Sequence, residues 1–176
     1  MNDATLAVVE VQDASGGARM PPFEKIAEWA KVALGAEARG ELTIRIVSKR
    51  ESAELNERYR GKRGPTNVLA FLSEAPAEVK DAPPATKDAP AETKDAPAPE
   101  LLPLGDLVIC AAVLAREAAE QGKQLDAHWA HIVIHGTLHL QGFDHETAEQ
   151  ATVMEGRERE LLAGLGFPDP YAAGGK

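Results

Sequence analysis

His135-Gly136-Thr137-Leu138-His139-Leu140-Gln141-Gly142-Phe143-Asp144-His145 carries three of the five histidines of this 176-residue chain, and all five fall between His128 and His145. His135 and His139 are four apart, so on a helix they share one face about a turn from each other. Gly142 comes where a helix can end in the left-handed conformation that glycine adopts cheaply. The chain can then fold back and bring His145 to the same point. Neutral imidazoles are common zinc ligands, and three protein ligands with one open position are the catalytic rather than the structural arrangement. The stretch predicts a metal helix, a glycine turn, and one Zn2+ held by His135, His139 and His145.

Upstream, His128, His131, His135 and His139 form one slowly turning stripe. At roughly 1.5 Å rise per residue, His131 and His139 stand about 12 Å apart along the axis, too far for ligands each roughly 2 Å from one ion. The helical pair is therefore 131 with 135 or 135 with 139, and only the second has a glycine turn and a returning histidine. His128 and His131 read as groups at the helix start or behind the ligands. The spacing matches the metzincin signature H-E-x-x-H-x-x-G-x-x-H except at Gly136, which stands where that signature has its general-base glutamate. Glycine cannot move a proton, so a zinc metallopeptidase is disfavoured. Hydrolysis stays open, because a metal lowers the pKa of a bound water to about 7.

The rest of the chain supplies a sheet and its helices. Strands are expected over 5–11, 42–47, 68–72 and 104–110. The apolar spacing of Phe23, Ile26, Ala27, Ala30, Val32 and Ala33 predicts a helix over 21–36, with prolines suited to its start. Ser48 with Glu51 reads as a capping box opening a helix that ends near Gly61. Helices are further expected over 111–121, ending at Gly122, over the metal segment 125–141, and over 146–165 before Gly166. Trp129, Ile132, Val133 and Leu140 lie off the histidine face and should pack on the sheet. Cys110 ends an apolar run and is expected to be buried; as the single cysteine it excludes an intrachain disulfide and suits a reducing compartment.

Residues 76–100 are different material, with seven-residue units KDAPPAT, KDAPAET and KDAPAPE starting at Lys80, Lys87 and Lys94. Proline in each unit bars regular helix and central strand, and few large apolar groups are there to bury. The segment reads as a low-complexity, disordered loop inserted into a single domain made of 1–75 and 101–176.

Four blocks of this sequence resemble the YbeY endoribonucleases, bacterial rRNA maturation factors. The histidine string 135–145 looks like the family hallmark. Asn56, Tyr59, Arg60 and the run Thr66-Asn67-Val68-Leu69-Ala70-Phe71 resemble a second block. Leu104-Gly105-Asp106-Leu107 resembles the third, and Gly166 to Tyr171 the fourth. Asn67 stands where the family usually has Asp, which keeps hydrogen bonding but loses a charge, and Ala70 where it usually has Ser. The insertion 76–100 replaces a short connection. The resemblance implies an α+β (mixed α/β) single domain with a small four-stranded mixed sheet, packed with helices and carrying a zincin-like metal helix.

Net charge is −9, which by itself argues against a nucleic-acid partner. From Arg45 to Arg63, however, seven basic residues face three acidic ones, and a basic surface on an acidic body can still take phosphates. The resemblance places the family's arginine at Arg60, whose guanidinium suits bidentate phosphate contact, with Lys62 and Arg63 beside it as RNA-backbone contacts. It implies a single-strand-specific, metal-dependent endoribonuclease in 16S rRNA 3′-end maturation and ribosome quality control. Single-stranded rRNA, the small ribosomal subunit and its assembly factors are the implied partners. The expected chemistry is a zinc-borne water attacking the phosphodiester, with Arg60 neutralising charge on the phosphate. Asp144 is either a group orienting a ligand histidine or an exposed turn carboxylate, and no general base can be assigned. The rival reading is a non-catalytic assembly factor with a structural metal. Imidazole sites also accept nickel, iron or copper. With no signal-peptide pattern at Met1-Asn2-Asp3 and no apolar run near the ~20 residues that span a bilayer, a cytoplasmic protein free of membrane is expected.

Overall fold

Leu42, Ile44 and Ile46 alternate with Thr43 and Arg45, and in a strand that alternation sends the two sets to opposite faces. The structure, a computed structural model, describes residues 7–35, 38–72 and 103–171. The alternating run forms β2 (Glu41–Val47), between β1 (Val8–Ala14) and β4 (Pro103–Cys110), with β3 (Val68–Leu72) at the far edge in the order β1-β2-β4-β3. β1, β2 and β4 are parallel, and β3 runs antiparallel to β4. The helices are α1 (Phe23–Leu34), α2 (Lys49–Arg60), α3 (Ala111–Gln121), α4 (Leu125–Leu140) and α5 (Ala148–Gly164). This is the α+β fold with a four-stranded mixed sheet that the resemblance implies. The inserted segment 76–100 lies outside the described residues.

The two faces of the sheet carry different helices. Leu42, Ile44, Ile46, Leu107 and Ile109 pack with α1 and with Trp129, Ile132, Val133, Ile134, Leu138 and Leu140 of α4 in the main core. Val47, Leu69, Val108 and Cys110 point the other way and pack with Leu55 of α2 and with Phe71. The four α4 residues expected against the sheet are buried, as is Cys110.

Element ends follow local chemistry, with small departures. β1 runs to Ala14 rather than 11 because its partner does, in register from Val8↔Glu41 to Ala14↔Val47. Ser48 caps α2 by accepting from the Glu51 amide at 3.2 Å, but the expected second half of that capping box is absent. The Glu51 carboxylate instead takes the Arg45 guanidinium at 3.0 and 3.2 Å, two charge-assisted bonds in place of the one it would make to a backbone amide. The full capping box belongs to α5, where Thr147 and Gln150 bond reciprocally.

Candidate metal centre

α4 ends as the glycine predicted. Gly142 has φ +103°, its N–H donates to the His139 carbonyl at 3.1 Å, and the Phe143 N–H reaches back to Leu138 at 3.1 Å. This is the Schellman arrangement, which satisfies the last carbonyls while reversing the chain. The reversal carries His145 back over the helix. The His145 ring lies 5.5 Å from His135 and 5.0 Å from His139, and those two rings are 4.7 Å apart. One nitrogen of each ring lies within 4.8 Å of the others. Tetrahedral ligands about 2 Å from zinc stand roughly 3.4 Å apart, so small ring rotations bring the three onto one ion. His135 and His139 are half-buried and His145 is exposed, which gives the centre one open side. Among the described residues no fourth ligand joins this group. Burial lowers the pKa of His139, and its two histidine neighbours push it the same way, which favours the neutral, ligating form.

Behind the ligands stands a residue that sequence reasoning missed. Glu158 of α5 is fully buried, with its Oε2 2.6 Å from His135 Nδ1 and its Oε1 3.1 Å from His131 Nε2. The Tyr171 hydroxyl donates to the same carboxylate. Burial pushes the Glu158 carboxyl up, but the bonds to His131, His135 and Tyr171 together outweigh it and hold the pKa at about 2. The signal was present in the sequence: Met154, Glu158 and Leu162 form the buried stripe of α5, and a carboxylate on such a stripe must find partners. His131, read as a group at the helix start or behind the ligands, is one of those partners. His128 is likewise buried, its Nε2 2.8 Å from Glu117, while Asn67 donates to both Glu117 oxygens at 3.4 Å. An aspartate at 67 would set two carboxylates against each other, so the amide suits this chain's Glu117.

Gly136 has a packing reason. A Cβ there would come within 2.8 Å of Leu107 Cδ2 and 3.3 Å of Val68 Cγ2, because α4 crosses β3 and β4 at that point. The side chain a metzincin needs at this position has no room, which counts further against a peptidase. Asp144 accepts from the His145 backbone amide at 2.8 Å; the carboxylate bonded to a ligand ring is that of Glu158.

The basic candidates lie elsewhere. Arg60 is exposed in the last turn of α2, and Lys62 and Arg63 are exposed just after it. Among the described residues no hydrogen bond or ion pair joins them to a histidine. α2 and α4 occupy opposite faces of the sheet, and both contact β4 and reach the edge strand β3 beside it. Phe71 of β3 meets the Tyr59 ring edge to face at 5.1 Å, and Val68 lies against Gly136.

Fold and site together define an α+β protein whose three converging histidines, at a helix-to-turn junction, could hold one metal ion. Residues 19–166 match the family described as Endoribonuclease YbeY, and the chain belongs to that family of RNA-cleaving proteins. The solution structure of TM1509 from Thermotoga maritima is 22% identical to it, covering 92% of this chain and 99% of that one, with a TM-score of 0.45. No helix among the described residues is long and apolar enough to cross a membrane.

Proposed function

We propose that the protein is a metal-dependent endoribonuclease for single-stranded RNA, with zinc held by His135, His139 and His145 and the scissile phosphate held by Arg60. The observation that carries this reading is the convergence of three histidines, with no fourth ligand among the described residues, on one point with an open side. A closed fourth position would favour a structural ion instead. The donor set fits zinc: all three are imidazoles, and His135 has its other nitrogen engaged by a carboxylate, as metal-bound histidines usually do. When bound, zinc supplies Lewis acidity and activates water at neutral pH.

The chain's own residues do the rest. His145, brought round by the Gly142 turn, completes the ligand set. Arg60 grips and neutralises the phosphate as charge develops on its oxygens. Lys62 and Arg63 hold the flanking backbone, and the RNA crosses the β3 edge between the basic turn and the centre. Asp144 pins the His145 backbone. The same reading assigns the protein to 16S rRNA 3′-end maturation and ribosome quality control in the cytoplasm, beside the small subunit and its assembly factors.

The test is cleavage of a labelled single-stranded RNA by the purified protein and by Arg60→Ala and His139→Ala variants, with zinc content measured in each. Cleavage falls by at least a hundredfold in both, and zinc is lost only from the histidine variant. Equal cleavage by all three would mean a contaminating nuclease and put the assembly-factor reading ahead.

A further inference from the structure

We propose that Glu158, locked from behind by Tyr171, is the positioning residue for His135, so that the C-terminal segment sets the metal affinity of a centre whose ligands all lie on α4 and its turn. The inference rests on the metal reading above and names a residue pair outside the ligand set.

Three hydrogen-bond partners converge on the two oxygens of this fully buried carboxylate: His135 Nδ1 at 2.6 Å, His131 Nε2 at 3.1 Å, and the Tyr171 hydroxyl, which donates. That is the environment of an anion, and an anion only accepts, so the ring nitrogens facing it carry protons. His135 is thereby fixed as its Nδ1–H tautomer, with the Nε2 lone pair left for the ion. Its ring is also held against rotation, and such partners typically account for 10–100-fold in metal affinity. His131, His135 and Glu158 are close enough to be taken for a second metal group. The 2.6 Å contact is a hydrogen bond, shorter than the roughly 3 Å or more between two ligands each about 2 Å from one ion, so in this arrangement Glu158 bonds the His135 ring rather than sharing an ion with it.

Tyr171 completes the clamp from a docked tail. Its ring meets His131 edge to face at 5.3 Å, and the Arg159 guanidinium lies 5.3 Å from its centre. Asp169 Oδ1 accepts from the Tyr171 amide at 2.8 Å and from Arg159 Nε at 3.2 Å. Lys123 at the end of α3 reaches the Pro170 carbonyl at 3.4 Å. The last residues before 172 are thus bonded to α5, to the loop that follows α3 and to the carboxylate behind His135.

The experiment measures zinc Kd by chelator competition in the full chain and in Glu158→Gln, Tyr171→Phe and Leu162→Ala, with thermal melting of each apoprotein. NMR of the His135 ring in the apoprotein reports its tautomer. Glu158→Gln weakens zinc binding 10–100-fold and lets the His135 tautomers mix. Tyr171→Phe weakens it severalfold. Leu162→Ala, a packing variant on the same stripe, lowers the melting temperature but leaves Kd within about twofold. A folded Glu158→Gln protein with unchanged Kd and an unchanged tautomer would overturn the proposal, as would an equal loss of affinity in Leu162→Ala. If the unmodified chain fails to bind zinc, the metal reading falls instead, and the apoprotein tautomer still decides the role of Glu158.

Discussion

At the scale of single residues, Gly136 and His128 make the sharpest claims. Gly136→Ala sets two effects against each other. Alanine in a helix interior gains about 1 kcal/mol over glycine, while forcing a methyl into a full core costs about 1–3 kcal/mol. Leu107, the atom in the way, is itself fully buried and has little room to move. The packing cost wins, and urea denaturation should show a net loss of about 1 kcal/mol. His128 is 3% exposed, and burial holds its pKa below the usual 6.5 against the opposing hydrogen bond to Glu117. The unfolded chain therefore takes up the proton first as pH falls. Stability is complete above about pH 6.5 and is lost as pH drops through the lower folded value. His128→Gln should flatten the fall in urea midpoint between pH 7 and pH 5.5; an unchanged slope would remove His128 as its source.

Among elements, the helix ends carry most of what local sequence specifies. Ser48, Gly142 and Gly166 each mark a boundary within two residues of where the structure puts it, because caps and left-handed turns depend on immediate neighbours. Thr147→Ala removes the acceptor for the Gln150 amide at 3.0 Å and breaks the capping box. The expected cost is about 1 kcal/mol in chemical denaturation. Zinc affinity should hold, since Glu158 lies about three turns further along α5. The exception among the caps is instructive. Glu51 stands at the right spacing from Ser48, yet its side chain goes to Arg45 on β2, a partner that exists only once helix and strand are packed together.

For the whole molecule, β3 and β4 bear on the insertion between them. Leu72 pairs with Gly105 in the antiparallel ladder, so the two strand ends are already neighbours and a short turn suffices to join them. Replacing residues 73–102 with a turn of about five residues should leave RNA cleavage and zinc content unchanged. It should also raise stability by roughly 1–2 kcal/mol, since each halving of loop length returns about 0.6 kcal/mol of closure entropy. Loss of cleavage with the fold intact would assign the repeats a part in substrate binding. The same scale separates Arg60 from the histidines, because α2 and α4 cover opposite faces of the sheet.

The order of strands and helices was legible in the chain alone, as were His135, His139 and His145. Hydrophobic period, cap chemistry and an i, i+4 pair before a glycine are all local, and their geometry needs no distant partner. Glu158 was within reach as a charge on an apolar stripe, but which groups it serves was not, since His135 is 23 residues away in the chain and Tyr171 is 13. Only tertiary packing decided that the carboxylate bonds the His135 ring. It alone showed that Gly136 is glycine because two strands pass beneath it, and that Glu51 leaves its cap for Arg45. Each of these depends on surfaces that meet only when the sheet is closed over by its helices, and burial then makes every polar group find a partner that sequence distance does not reveal.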